Sequence, residues 1–141
     1  MIVGGYEDGL KLSSVEMIGD NPCSIADFPH AITGLTSDGF PLVCGSSDNP
    51  DPHDCYKYDV STNQWSLHST MKHSRPYASA VSMPSGVYVL GGYGHQWEME
   101  FLPKGSTEWE EKDAMIIDIV KNCAVPLSDQ SFLMINYQDI Y

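Results

Sequence analysis

The sequence predicts an all-β chain built from a four-stranded antiparallel unit that recurs about three times over 141 residues. Three observations carry this expectation. Apolar runs (MIVGG, FPLVCGS, GVYVLGGY, SFLMINYQ), the first three ending in or near glycine, align at Gly5, Gly45, Gly92 and Tyr137, spaced by 40, 47 and 45 residues. The segments between them are strand-like: alternation is clear in YKYDV and WEMEF, and β-branched or aromatic residues dominate the others. Turn signals (EDG, SDG, PSG, DVSTNQ, PKGST) punctuate the chain throughout. No stretch sustains a helical period. EEKDAMIIDIVKN comes nearest, and it falls where the repeat demands strand, turn, strand.

The units follow in order. Residues 1–35 open on MIVGG, with Gly4 and Gly5 closing the run, and continue through SSVEMIGDNPCSI. Cys23 stands there where later units have tryptophan. Residues 36–83 hold FPLVCGS, the strand and turn of CYKYDVSTNQWSL with Trp65, and the return MKHSRPYASAVSM. Residues 84–128 repeat the plan with GVYVLGGY, WEMEFLPKGSTEWEE with Trp109, and NCAVPL. Residues 129–141 begin a further unit. Small antiparallel sheets repeated at this period are the blades of a β-propeller.

Composition bounds the function. The chain is 42% hydrophobic and 18% charged, with 12 Gly and 9 Pro, which is globular and turn-rich. Seven basic against nineteen acidic residues give a net charge of −12, which repels phosphate backbones and anionic membranes. No run approaches the roughly 20 apolar residues of a membrane helix. MIVGGYEDGL lacks the basic start and apolar stretch of a signal peptide, so both a cytoplasmic and an extracellular setting stay open.

Few motifs carry chemistry. A phosphate-cradling loop needs G-x-G-x-x-G between a strand and a helix, whereas a strand follows Gly91, Gly92 and Gly94. Crowded strands explain Gly91-Gly92 without a ligand. The loop SSDNPDPHDC offers Asp48, Asp51 and Asp54 as oxygen donors, yet its prolines and missing central glycine break any EF-hand pattern. His53 and Cys55 have no second zinc-spaced pair. Cys44 ends one strand and Cys55 opens the next, so an antiparallel hairpin sets them within disulfide range. Two buried thiols are the alternative, and Cys23 and Cys123 remain unassigned. No nucleophile elbow occurs, and no cofactor or metal is expected. Trp65 and Trp109 are expected to pack between adjacent units.

The glycine-ended strand, the YDVSTNQW turn and the MKHSRPYASAVSM return resemble kelch repeats across nearly the whole chain, most closely from Pro41 to Gly92. SVEMIGDNPCSIADFP and NCAV look like a cysteine-containing kelch group of invertebrate proteins, in which a three-blade block tends to occur twice. INYQ, Cys23 and Cys44 depart from the family pattern. The resemblance implies a non-enzymatic protein-recognition module. Its partner face would hold Tyr6, Glu7 and Asp8, then Asp48, Asn49, Asp51, His53 and Asp54, then Tyr93, His95 and Gln96, with Lys72, His73 and Arg75 from the return loop. In kelch repeats the arginine matched by Arg75 either bonds neighbouring loops or sits on that face. Such a surface suits a protein with a basic patch.

Two other functions belong to the same fold. A ubiquitin-ligase substrate adaptor would need a BTB or F-box domain. A carbohydrate-binding propeller is one form of the second alternative. The other, a galactose oxidase-like enzyme, binds copper with Tyr and His ligands, for which Tyr77, Tyr93, His73 and His95 are the candidates, residues that also recur as packing groups. Three blades do not close a ring, so its remainder is expected from a longer polypeptide or from a second copy.

Overall fold

A computed structural model describes residues 2–16, 25–29, 36–37, 42–46, 52–116 and 123–135. Among these the chain is all-β without a helix, and twelve strands form four antiparallel sheets. A hairpin of β1 (Ile2–Glu7) and β2 (Leu10–Glu16) comes first. Next is a four-stranded meander of β3 (Thr36–Ser37), β4 (Leu42–Cys44), β5 (Asp54–Asp59) and β6 (Gln64–Thr70). A second meander follows, of β7 (Ser79–Met83), β8 (Gly86–Leu90), β9 (Met99–Pro103) and β10 (Glu110–Lys112). The hairpin of β11 (Cys123–Ser128) and β12 (Ser131–Ile135) closes the series.

Local chemistry sets the turns. Asp8 (φ 48°) and Gly9 (φ 83°) make the two-residue link of the first hairpin, where a right-handed strand twist favours positive φ at both positions. In the YDVSTNQW turn the Asp59 carboxylate accepts from both the amide and the hydroxyl of Ser61. Asn63 takes the left-handed conformation, and its Oδ1 accepts from the Tyr58 hydroxyl and from the Ala26 amide. The turn thus also ties β5–β6 to the segment before it.

The sheets are offset from the sequence units. β7 pairs with β8 through the PSG turn, so the span 36–83 holds one sheet plus the first strand of the next. The glycine frame also shifts. Gly4, Gly45 and Gly91 share one left-handed conformation (φ 65°, 64° and 66°), so Gly91 rather than Gly92 is the structural counterpart of Gly45.

Three apolar clusters lie between consecutive sheets. Phe28 and Val43, with Val3, Val15, Tyr56 and Trp65, join β1–β2 to β3–β6. Leu42, Cys44, Cys55 and Met71 meet Ala78, Val89, Leu102 and Trp109 between the two meanders. Val81, Met83 and Leu90, with Phe132 and Met134, reach β11–β12. The first strand of the second meander, β7, lies against both β3 and β11. Each sheet therefore packs on its sequence neighbours, as in repeat proteins whose stability is a sum of nearest-neighbour terms.

The tryptophans follow the same plan. The Trp65 indole N–H donates to the Ala26 carbonyl, and its ring meets Phe28 edge-on. Buried Trp109 donates to the Ser69 hydroxyl, forty residues earlier in the preceding sheet. Cys44 and Cys55 are directly opposed in β4–β5 and stand at disulfide distance. The adjacent Gly45 amide donates to the Asp54 carbonyl, so the cysteine pair is of the non-hydrogen-bonded kind, whose side chains approach most closely. Cys123 is exposed, and Cys23 lies outside the described residues.

Candidate functional site

The segment joining β6 to β7 crosses between two glycine-ended strands. A Cβ on Gly45 would stand 3.1 Å from the Arg75 carbonyl oxygen, and one on Gly92 3.1 Å from the Arg75 Cα, Cβ and carbonyl carbon. Close approach to the Arg75 backbone together with positive φ (64° and 101°) favours glycine at both positions.

Arg75 itself is 0% exposed and meets Glu100, also 0% exposed, through Nε to Oε1 at 2.8 Å. Its Nη1 donates to the carbonyls of Gly91 (3.0 Å), His95 (3.3 Å) and Glu98 (3.2 Å), and Nη2 to the Glu98 carboxylate (3.3 Å). Glu100 accepts in addition from the amides of Lys72 (2.7 Å) and His73 (3.1 Å). A buried ion pair is tolerated when its remaining donors and acceptors are satisfied, as they are here.

This pair forms the floor beneath the 91–98 loop. Tyr93 donates its amide to the Pro76 carbonyl, and the turns His95-to-Gly92 and Glu98-to-His95 close the loop on itself. The His73 and His95 rings stack at 4.4 Å between centroids. The Glu98 carboxylate lies 2.7 Å from His95 Nδ1 and 4.0 Å from His73 Nε2, and Glu111 lies 3.4 Å from His73 Nε2. Burial pushes the Glu98 carboxyl up, but the His95 hydrogen bond and the charges of His95, Arg75 and His73 outweigh it and hold it below the usual carboxylate range. Tyr93 is 70% exposed, Trp97 54% and Tyr77 39%, so three aromatic rings stand on this loop and its neighbour.

The other sequence-derived site residues are dispersed. His73, His95 and Gln96 are half-buried, and Lys72 is exposed near Glu111. His53 and Asp54 stand half-buried at the start of β5, His53 near the Met71 carbonyl and Asp54 accepting from the Thr70 hydroxyl. Glu7 and Asp8 are exposed at the first hairpin, where Tyr6 lies in β1. Asp48, Asn49 and Asp51 lie outside the described residues. Arg75 does not belong on a partner face: fully buried, it spends its donors on the loop above and presents nothing to a partner.

Sequence reasoning missed Glu98, Glu100, Glu111 and Trp97. For Glu100 and Glu98 the signal was the alternation of WEMEF, with Glu100 in β9 and Glu98 just before it, whereas Glu111 in β10 carried none. Neither the models of known families nor the curated proteins include a match to this chain.

Proposed function

We propose that the chain is a kelch-type β-propeller segment and a non-catalytic protein-recognition module, whose partner seats on Tyr77, Tyr93 and Trp97. The observation that carries this reading is the exposure of those three aromatics above a loop pinned from below by buried Arg75. Large, stiff rings on an ordered backbone bind at low entropic cost, and Tyr and Trp dominate interface hot spots. The run of sheets, each packed on the next with β7 between β3 and β11, supports the propeller reading. The apolar side chains that β11 and β12 leave exposed, Val125, Leu127, Leu133 and Ile135, suit the packing of a further sheet.

Net charge of −12 favours a partner with a basic patch, so affinity falls as salt is raised. Photo-crosslinking from position 93, with position 104 at the opposite end of the second meander as control, identifies the partner. The Tyr93→Ala and Trp97→Ala variants then weaken its binding by about 1–2 kcal/mol or more each. Equal crosslinking from both positions, or unchanged affinity in both variants, refutes this face.

A further inference from the structure

We propose that His73, His95 and Glu98 form a binding site for a divalent transition cation of the zinc class. Each residue offers one ligand atom, and the three atoms lie within 4.8 Å of one another. In a tetrahedral zinc site with bonds of about 2.0–2.1 Å, neighbouring donors stand about 3.3 Å apart. The observed separations bracket that value: 2.7 Å between Glu98 Oε2 and His95 Nδ1, and 4.0 Å between Glu98 Oε2 and His73 Nε2. Bonding all three to one ion requires side-chain rotations that unstack the His73 and His95 rings.

The donor set selects the metal. Two imidazoles and one carboxylate suit zinc and its neighbours, whereas calcium and magnesium take oxygen ligands. The backbone that carries the ligands is held in place before any ion arrives. His95 and Glu98 sit in a closed turn whose carbonyls accept from Arg75, and the His73 amide is fixed by Glu100. A cleft of about 140 Å³ lined by His73, Arg75, Glu98, Met99, Glu111 and Lys112 gives access. Glu111, 3.4 Å from His73 Nε2, is placed to serve as a fourth ligand. The positive charge of Arg75 is matched first by buried Glu100, and its Nη2 lies 3.3 Å from Glu98 Oε2, so a bound cation shares that carboxylate with Arg75. The separation of residues 73 and 95 along the chain hides the site from any short-motif search.

Titration calorimetry of the tag-free, chelator-treated chain with Zn²⁺ alone tests this. The expected result is one zinc per chain at pH 7.5, at least about tenfold weaker in His95→Gln and in Glu98→Gln. Affinity falls at pH 5.5, because imidazole ligands must be deprotonated. Co²⁺ in place of zinc gives a visible d–d absorption that both variants lose. Circular dichroism of each variant separates loss of a ligand from loss of fold, and His73→Gln serves if either variant misfolds. No stoichiometric zinc binding, equal affinity in folded variants, or calcium binding as tight as zinc would each overturn the proposal.

Discussion

The two four-stranded sheets carry the same hydrogen bond at the root of the same loop: Gly45 amide to Asp54 carbonyl in one, Gly91 amide to Glu98 carbonyl in the other. One step into the strands they part. The first opposes Cys44 to Cys55, and the second opposes Leu90 to Met99. The first loop is clamped at its base by the Cys44–Cys55 pair. The second loop has no such pair, and Arg75 reaches into its interior to gather three carbonyls. A covalent clamp fixes the ends of a loop, whereas a buried guanidinium dictates its course. Tyr93, His95, Trp97 and Glu98 stand on the loop whose course is dictated, with His73 and Tyr77 on the β6–β7 segment beside it.

The largest effect tests that difference directly. Arg75→Met leaves Glu100 buried and uncompensated, and is expected to cost about 3–5 kcal/mol in urea unfolding. The double variant Arg75→Met/Glu100→Leu removes both charges but orphans the amides of Lys72 and His73, so it recovers only part of the loss. A cost for Arg75→Met below about 1 kcal/mol would end the comparison.

Cys44→Ala/Cys55→Ala, or reduction of the wild type, comes next. The cysteines are 11 residues apart, and opening so short a loop is expected to cost about 2–3 kcal/mol. Hydrogen exchange sharpens the contrast. The cysteine variant raises exchange at Gly45 and spares Gly91, while Arg75→Met does the reverse. Equal exchange at both glycines in both variants would show that the two loops open as one.

A smaller effect separates crowding from conformation. Gly92 and Gly94 both have positive φ (101° and 89°), but a Cβ on Gly92 meets the Arg75 backbone whereas one on Gly94 meets nothing within 4 Å. Gly92→Ala is therefore expected to cost about 2–3 kcal/mol and Gly94→Ala about 1 kcal/mol, by thermal unfolding. Equal costs would mean that backbone conformation alone explains the glycines.

The turns and the cysteine pair were legible because their causes are local. Asp8-Gly9, Asp59 to Asn63, and the Cys44–Cys55 hairpin each act within a few residues of themselves. The glycine frame was off by one at Gly91, since equal runs of letters do not reveal which residue turns left-handed. Arg75 and Glu100 were illegible as a pair. They lie 25 positions apart, and alternation in WEMEF leaves open which polar residue faces water. Glu100 meets the β6–β7 segment, whose Lys72 and His73 amides donate to its carboxylate. The histidine–carboxylate cluster was half legible: His73 and His95 stood out by residue type, while their partners needed the fold.

The smallest effect concerns the seam between the sheets being compared. His68 in β6 lines a cleft of about 330 Å³, with Leu42 and Lys57 from the first meander and Met83, Leu102 and Lys104 from the second. Burial, and after it the charge of Lys57, hold the His68 imidazole below its ordinary value of 6.5. The unfolded chain therefore takes up this proton at a higher pH than the folded chain does. Between those two values the unfolded state binds more protons, so stability falls as pH drops below 6.5 and levels off once the folded imidazole is also charged. The contribution is expected to stay below about 1 kcal/mol, since the ring is partly solvated. His68→Gln removes it, so the stability difference between variant and wild type shifts in the variant's favour from pH 7.5 to pH 5.5. The four other histidines are common to both proteins and largely cancel in that difference. A difference that stays constant with pH would place the seam's cost in packing alone and leave the His68 charge without effect on how the sheets meet.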